Sequence, residues 1–399
     1  MDKRPFLLDN QIQNYTWGAK NQDAFIPHLL GIPIIPDLPY AELWMGAHPK
    51  APSMVQLNQK KISLADTVLK YPFEILGNTS LQNHGKIFPF LFKVLSASQA
   101  LSIQVHPNKK QAIDLHKKDP EHYPDGNYKP EIAIALDKLT ALVGFRPIQQ
   151  IHSTINEIPE ILSLINSQVD QQDNLPSLFN ALMSQSHINK SALENAIITL
   201  ERRLQQKNSK LTKHEILFLE LRKIYHGPDI GLLALFFLNL IQLNPGQGIF
   251  LDAGIPHAYI QGNIIECMAN SDNVVRAGLT SKFKDIETLT RIVHYNDTPI
   301  PIIDPNTELS SFSYPVPVSE FHVTQIQLKK QETLKQNTFD KPTILLCVEG
   351  EYQFLWRNEK SAQHTIYQKG QAILIPAFLM EYELTAFQDS QLFVATTQK

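Results

Sequence analysis

Within residues 101–106, every second residue is polar, namely Ser102, Gln104 and His106. Apolar and polar residues alternate in this run, which predicts a half-buried β-strand that Pro107 ends. Because residues i and i+2 of a strand project to the same face, Ser102, Gln104 and His106 point together. A polar outer face with one histidine is the interpretation favoured by this run taken alone. If the face points into a barrel, its polar groups need partners, because an unpaired buried polar group costs about 1–3 kcal/mol, and a divalent cation is one such partner.

A carboxylate and a second histidine lie near the ends of other predicted strands. Pro130 disfavours helical geometry for Lys129, so Glu131 begins an extended run and can share a face with Lys129. A surface ion pair is the alternative for these two residues. His257 follows a Gly-Ile-Pro turn, which favours the mouth of a cavity over a packed core. Imidazole nitrogens, a carboxylate and an amide oxygen suit zinc or another divalent transition ion, with one coordination position open for water or substrate.

Residues 264–282 place charged and amide side chains in an otherwise apolar segment. These side chains are Glu266, Asn270, Ser271, Asp272, Asn273, Arg276 and Lys282. A polar loop with internal charge pairs would explain them without any function. The neighbouring histidine turn favours a loop that contacts substrate, since function concentrates on loops held by a rigid scaffold.

Composition argues against several classes of protein. The 399 residues are 43% hydrophobic with a formal net charge of −3, which leaves no basic footprint for nucleic acid. The most apolar stretch, residues 230–243, is interrupted by two amides and is shorter than the roughly 20 residues of a membrane span. The first residues are charged and lack the apolar core of a secretory signal. The two cysteines, Cys267 and Cys347, are far apart, which indicates a reducing compartment and argues against a cysteine metal site. We therefore expect a cytoplasmic protein with no nucleic-acid or membrane partner.

Glycine and proline punctuate most of the chain but not its middle. Short apolar runs separated by these residues continue to Gly144 and resume after the middle of the chain, and both regions are predicted to be β. No glycine occurs between Gly144 and Gly227, where apolar residues recur at helical spacing. Thr212 and Glu215 in this stretch have the spacing of a capping box. The predicted fold class is therefore mainly β with an α-helical insertion.

This punctuation predicts four segments. They are an N-terminal β domain with most of the candidate metal ligands at 1–147, a helical insertion at 148–243, the rest of the catalytic β domain with His257 and the Arg276 loop at 244–320, and a C-terminal β domain at 321–399. Strands of similar length and spacing in the last segment suit a sandwich or closed barrel. Residues 370–377 echo residues 246–253, but no histidine follows the second copy. The echo suggests a duplicated β unit whose second copy has a structural role only.

Seven motifs lie in order along the chain. They are Asn14-Tyr-Thr-Trp-Gly18, Glu42-Leu-Trp-Met-Gly-Ala-His-Pro49, Phe90-Leu-Phe-Lys-Val-Leu95, Gln104-Val-His-Pro107, Lys129-Pro-Glu131, Gly254-Ile-Pro-His-Ala-Tyr259 and Asn273-Val-Val-Arg-Ala-Gly-Leu279. Together they resemble type I mannose-6-phosphate isomerase, also called phosphomannose isomerase, of the cupin superfamily. The resemblance runs from the N-terminus to about Lys282 and weakens toward the C-terminus.

The resemblance implies duplicated cupin jelly-roll β-barrels, one zinc ion per chain, and interconversion of mannose 6-phosphate and fructose 6-phosphate. It places the zinc ligands on Gln104, His106, Glu131 and His257, and the active-site arginine on Arg276. This chain departs from the family pattern away from the metal ligands, at Asn108, at Ser281 and at residues 226–228. The implied partner is a small-molecule sugar phosphate, used in GDP-mannose and hexose metabolism. We expect the protein to be a monomer or weak homodimer.

An aldose–ketose isomerisation moves a proton between C1 and C2 through an enediol, so the site needs a base, a charge stabiliser and a phosphate grip. Arg276 suits the enediolate oxygens. Either Lys129 or Asp272 could move the proton, and both stay open as candidates. The phosphate candidates are Ser102, Lys93 and Lys282, and the side chains expected to line the pocket are Trp17, Tyr259 and Glu266.

Two other functions are compatible with a metal-binding cupin. Another metal-dependent cupin enzyme, such as an iron-dependent dioxygenase, usually relies on more histidines than this sequence offers. A non-catalytic sugar-binding cupin would not need Lys129, Asp272 and Arg276 around the metal. The charged cluster therefore favours the isomerase.

Overall fold

The computed structural model describes residues 1–165, 174–358 and 361–398. The chain up to Phe145 alternates strands with short helices. These are β1 (Phe6–Leu7), β2 (Gln11–Gln13), α1 (Phe25–Leu30), β3 (Glu42–Gly46), β4 (Met54–Leu57), β5 (Lys60–Ser63), α2 (Leu64–Lys70), α3 (Pro72–His84), β6 (Phe90–Ala97), β7 (Ile103–Val105), α4 (Lys109–Lys118), β8 (Glu131–Ala135) and β9 (Leu139–Phe145). Asn108, one of the departures from the family pattern, caps α4 by accepting a hydrogen bond from the Gln111 N–H. Asparagine is among the residues preferred at a helix N-cap, so the departure leaves the start of this helix intact.

The glycine-free stretch is helical, as its spacing predicts. Its helices are α5 (Ile148–Glu157), α6 (Pro159–Ile165), α7 (Leu175–Ile188), α8 (Lys190–Gln205), α9 (Lys213–Arg222) and α10 (Gly231–Ala234). Thr212 and Glu215 form the expected capping box at the start of α9. The stretch does not stay helical to residue 243, however. Residues 238–243 form a strand, β10 (Leu238–Leu243), because this apolar run pairs antiparallel with β9 and buries Leu238 and Leu243.

Strands dominate the remainder of the chain. They are β11 (Gly248–Leu251), β12 (His257–Ala269), β13 (Val275–Gly278), β14 (Ile302–Ile303), β15 (Ser311–Tyr314), β16 (His322–Leu328), β17 (Thr333–Asn337), β18 (Thr343–Glu349), β19 (Glu351–Arg357), β20 (Ala362–Gln368), β21 (Ala372–Ile375), β22 (Glu381–Ala386) and β23 (Ser390–Thr396), with α11 (Ile286–Ile292) after β13.

The long strand β12 organises the sheet that carries the candidate site. Its first residues pair with β7 and β9, and its last residues pair with β6 and β8. Gly262 lies between the two halves at φ 132°, where an added Cβ would come within 2.8 Å of the Leu139 backbone. Only glycine permits this close approach of two backbones, which lets one strand serve both halves. The register sets His257 opposite Gln104, and Glu266 opposite Lys93.

The C-terminal strands form two further sheets around a separate apolar core. The six-stranded sheet has the order β1-β21-β18-β23-β16-β15, and the four-stranded sheet has the order β17-β22-β19-β20. The N-terminal strand β1 belongs to the first of these sheets through the pair Phe6–Leu374. Gly246 and Gly370, which open the two echoing phrases, have φ of 85° and 84°, and each is followed by a four-residue strand.

The mainly β architecture with a helical insertion is confirmed. The similar φ angles of Gly246 and Gly370, and the four-residue strand after each, agree with the duplicated jelly-roll arrangement. The division into four segments stays a prediction. Strand β1 belongs to the first predicted segment but pairs with β21 in the last one. Among the described helices, none is both long and apolar enough to cross a membrane.

Candidate active site and metal centre

His106, Glu131 and His257 come together although they lie far apart in the sequence. Their side chains are between 0% and 1% exposed, and one ligand atom from each lies within 4.8 Å of the others. The Nε2 atoms of the two histidines lie 3.5 and 3.2 Å from the two carboxylate oxygens. Such a buried group of two imidazoles and a carboxylate has the composition of a zinc site.

Both histidines have one ring nitrogen bonded to a backbone carbonyl. His106 Nδ1 lies 2.8 Å from the carbonyl oxygen of Asn273, and His257 Nδ1 lies 2.9 Å from that of Ile255. A carbonyl only accepts, so each Nδ1 carries the proton and each Nε2 presents its lone pair to the site. Within the described part of the chain, His106 Nε2 has no hydrogen-bond partner. Burial, followed by the charge of Lys129, lowers the pKa of His106 to about 4, which keeps the imidazole neutral as a metal ligand requires.

Gln104 adds an amide to this group. Its terminal nitrogen lies 3.3 Å from His257 Nε2, across the β7–β12 pair. Rotation about the last side-chain bond exchanges the amide oxygen and nitrogen within nearly the same volume. The oxygen can therefore face the point on which the other three side chains converge, so the structure brings all four predicted ligands together.

Two side chains support Glu131 from the other side. Lys129 Nζ lies 3.1 Å from Oε2, and the Tyr259 hydroxyl donates to Oε1 at 2.9 Å. Burial alone would raise the pKa of Glu131, but the Lys129 charge and contacts from the two histidines outweigh it, so the pKa falls well below its usual range. Burial raises the pKa of Tyr259 well above its usual value, with the negative charge of Glu131 adding to the effect. Glu131 is thus an anion and Tyr259 a neutral donor.

A cavity of about 590 Å³ opens directly in front of this group. Gln104, Lys129 and Tyr259 each contact a member of the His106–Glu131–His257 group and also line the cavity. Every other candidate named from the sequence also lines the cavity, namely Trp17, Lys93, Ser102, Glu266, Asp272, Arg276 and Lys282. A cavity of this size accommodates a small molecule.

Lys93 is held in the cavity floor by acidic partners. Its ammonium lies 2.9 Å from Glu266 and 3.4 Å from Glu42, and 5.4 Å from the centre of the Trp44 ring. Burial opposes its charge, but the two carboxylates outweigh burial and raise the pKa of Lys93 above its usual value. The lysine is permanently charged and already paired, which makes it a poor phosphate contact.

Asp272 stands at the cavity edge between a lysine and a histidine. Its carboxylate lies 2.8 Å from Lys50 Nζ and 3.4 Å from His48 Nε2. Burial alone would raise the pKa of Asp272, but hydrogen bonds with His48 and Lys50 and their charges hold it well below its usual range. Asp272 is therefore an anion in the free protein.

Arg276 and Lys282 differ from these paired groups. Among the described residues, neither side chain makes a hydrogen bond or an ion pair, and the closest aromatic contact of Lys282 is 5.8 Å from the Tyr15 ring. Burial lowers the pKa of Arg276, and burial followed by repulsion from Arg276 lowers the pKa of Lys282. Two unpaired cations in one cavity wall provide a place for an anionic ligand.

Three further side chains help to shape the cavity, namely Glu42, Trp44 and His48. In the sequence they were noted only as part of a family motif and not as candidate site residues. On strand β3 the pair Glu42 and Trp44 has the same i, i+2 spacing that singled out Gln104 and His106, and both line the cavity. That spacing could have identified them, whereas the contact of His48 with Asp272 has no local signal.

Comparison with known proteins gives the same picture. The family "Phosphomannose isomerase type I, catalytic domain" matches residues 6–148. The mannose-6-phosphate isomerase of Rattus norvegicus is 38% identical, over 87% of this chain and 88% of its own length, and that of Homo sapiens is 36% identical over the same shares. A variant phosphomannose isomerase from Salmonella typhimurium superposes with a TM-score of 0.88 at 32% identity, covering 99% of each chain. A mannose 6-phosphate isomerase bound with zinc and yttrium superposes with a TM-score of 0.87 at 31% identity, again covering 99% of each chain. The chain belongs to the type I phosphomannose isomerase family.

Proposed function

We propose that this protein interconverts D-mannose 6-phosphate and D-fructose 6-phosphate with the help of one zinc ion. The observation that carries the proposal is the juxtaposition of a buried His-Glu-His group with a cavity that contains two unpaired cations. The family relationship supports the same reaction, since its members carry this activity in their names. The reaction moves one proton between C1 and C2 and leaves the phosphate unchanged.

Gln104, His106, Glu131 and His257 would hold the zinc ion. The orphaned Nε2 of His106 and the fixed tautomers of both histidines fit a metal bound at their centre. When bound, zinc supplies Lewis acidity that favours negative charge on the sugar oxygens. Lys129 and Tyr259 each contact one oxygen of the Glu131 carboxylate and so orient this ligand.

The phosphate group is best matched by Lys282, with Arg276 close enough to influence its pKa. Ser102 in the same cavity adds a hydroxyl donor. Lys93 is a weaker candidate, because Glu42 and Glu266 already neutralise its charge. Arg276 keeps its charge at any working pH and can also stabilise the enediolate as negative charge develops.

Lys129 and Asp272 remain the two candidates for proton transfer. Asp272 is an anion and can accept a proton, but its low pKa makes it a weak base. Lys129 forms an ion pair with Glu131 and in that state can only donate. A proton acceptor and a proton donor in one cavity suit a reaction in which a proton is removed from one sugar carbon and a proton is added to the neighbouring carbon.

The protein is proposed to act in the cytoplasm as a monomer or weak homodimer on a small sugar phosphate, without nucleic-acid or membrane partners. Cys267 and Cys347 are both buried and free among the described residues, in keeping with a reducing compartment.

A coupled assay tests the proposed reaction. Purified zinc-loaded protein is given mannose 6-phosphate. An accessory isomerase converts the fructose 6-phosphate formed into the substrate of a dehydrogenase, whose turnover is recorded. Steady turnover that stops in metal-free protein is the expected result. Binding of the sugar phosphate without turnover would favour a non-catalytic cupin, and oxygen uptake with bound iron would favour a dioxygenase.

A further inference from the structure

Asp125 lies in the loop before strand β8 and accepts hydrogen bonds from a second loop. Its Oδ1 lies 2.9 Å from Ser271 Oγ and 3.1 Å from Asn273 Nδ2, and its Oδ2 accepts from the backbone N–H of Asp272 at 2.8 Å. The N–H of Asn127, in its own loop, donates to Oδ1 at 2.9 Å. One carboxylate thus connects the loop that leads into β8 with the loop that precedes β13.

Backbone carbonyls reinforce the connection. Asn273 Nδ2 lies 2.6 Å from the carbonyl oxygen of Asp125 and 2.9 Å from that of Asn127. Ser271 Oγ lies 3.0 Å from the same Asn127 oxygen. Ser271 and Asn273 are 2% and 0% exposed, so these bonds form away from water and fix the conformation of the loop.

This loop in turn sets the metal-facing nitrogen of His106. The Asn273 carbonyl accepts a hydrogen bond from the protonated Nδ1 of His106 at 2.8 Å, which leaves Nε2 unprotonated and directed at the metal site. The neighbouring Asp272 contributes its carboxylate to the cavity wall. A displacement of the loop would therefore change the imidazole and the cavity edge together.

We infer that Asp125 is a positioning residue for the metal centre, which acts through the Asn273 carbonyl on the tautomer and orientation of His106. It does not line the cavity and needs no contact with substrate. The inference rests on the proposed function only in taking His106 as a zinc ligand. Groups that orient a metal-bound histidine usually affect metal affinity or activity by roughly 10- to 100-fold.

The decisive variant is Asp125→Asn, which keeps the shape of the side chain. An amide has one oxygen, so it must set its NH2 group against either the Asp272 N–H or the donors of Ser271 and Asn273. Zinc release from the holoenzyme to a competing chelator is expected to become roughly 10-fold faster. The visible d–d absorption of the cobalt-substituted protein should change as well, because that band reports ligand geometry. We expect kcat to fall more than KM rises.

Asp137→Asn is the matched control. Asp137 is a half-buried carboxylate that accepts a backbone N–H bond from Asn263 at 2.8 Å and also contacts the Asn263 side chain, but it does not line the cavity. This variant should leave zinc release, the cobalt spectrum and kcat unchanged even if it lowers the melting temperature. Asp125→Asn behaving in the same way would overturn the inference and assign Asp125 a structural role only.

A milder variant covers the case in which Asp125→Asn fails to fold. Ser271→Ala removes one hydroxyl from the same network and should speed zinc release and shift the cobalt spectrum in the same direction, by less. Normal values for this variant would contradict the inference. Failure of the proposed function is separately visible, because the unaltered protein would then lack isomerase activity.

Discussion

The ammonium of Lys93 lies 2.9 Å from the carboxylate of Glu266, and both side chains are almost completely buried. Strands β6 and β12 place them directly opposite each other, so the sheet register itself creates the ion pair. Glu42 on the next strand adds a second carboxylate at 3.4 Å. The cavity floor is therefore a buried charge network in which one ammonium faces two carboxylates.

Lys93→Met should destabilise the fold strongly, because it leaves two buried carboxylates without their cation. Removing one partner of a buried ion pair costs about 3–5 kcal/mol of stability. We expect the free energy of unfolding, measured in urea, to fall by this amount. Lys329→Met at the exposed Lys329–Asp389 pair is the control and should leave the unfolding midpoint nearly unchanged. Equal effects of the two substitutions would show that burial does not decide the contribution of Lys93.

The local part of the site was visible in the sequence. Period-two alternation placed Gln104 and His106 on one face, and the structure brings both to the metal centre, although β7 is shorter than predicted and ends at Val105. Pro130 marked the strand that Glu131 begins, and that strand is present. The capping box at Thr212 was equally local and is confirmed. These patterns succeed because neighbouring residues determine strand faces and helix ends.

The remaining contacts depend on residues more than a hundred positions apart. His48 meets Asp272 and Phe6 pairs with Leu374 only because of how the sheets assemble. The local sequence pattern around these residues does not indicate these long-range contacts. The apolar spacing of residues 238–243 likewise does not indicate that they pair with β9. Tertiary pairing overrides local preference at such places.

Metal removal should abolish activity reversibly. The two histidines present unprotonated Nε2 atoms beside the Glu131 carboxylate, and these converging lone pairs supply the ligands of a cation. Chelator-treated protein is expected to lose isomerase turnover and to regain it with one equivalent of zinc, followed by metal analysis and the coupled assay. Glu131→Gln should prevent recovery at the same zinc concentration. Full activity in demonstrably metal-free protein would refute a role for the ion.

Arg276→Lys should separate transition-state stabilisation from binding. Lysine keeps the charge but loses the planar fork of donors that can contact two oxygens together. If Arg276 stabilises the enediolate, kcat should fall by about 100-fold while KM changes little, as for the loss of a donor that acts on developing charge. Steady-state kinetics with mannose 6-phosphate measures both constants. A rise in KM at constant kcat would instead assign Arg276 to ground-state binding of the phosphate.

Substrate affinity should weaken at alkaline pH because of Lys282. Burial and repulsion from Arg276 lower the pKa of Lys282, so this side chain loses its positive charge at a lower pH than an exposed lysine, whose pKa is about 10.4. The substrate phosphate has its second pKa at about 6, so it only gains negative charge as pH rises and cannot itself weaken binding to a cation. KM for mannose 6-phosphate, measured from neutral pH upward, is therefore expected to increase while metal content stays constant. Lys282→Arg should remove this increase, since an arginine stays charged throughout the range. An identical rise in KM in that variant would exclude Lys282 as its source.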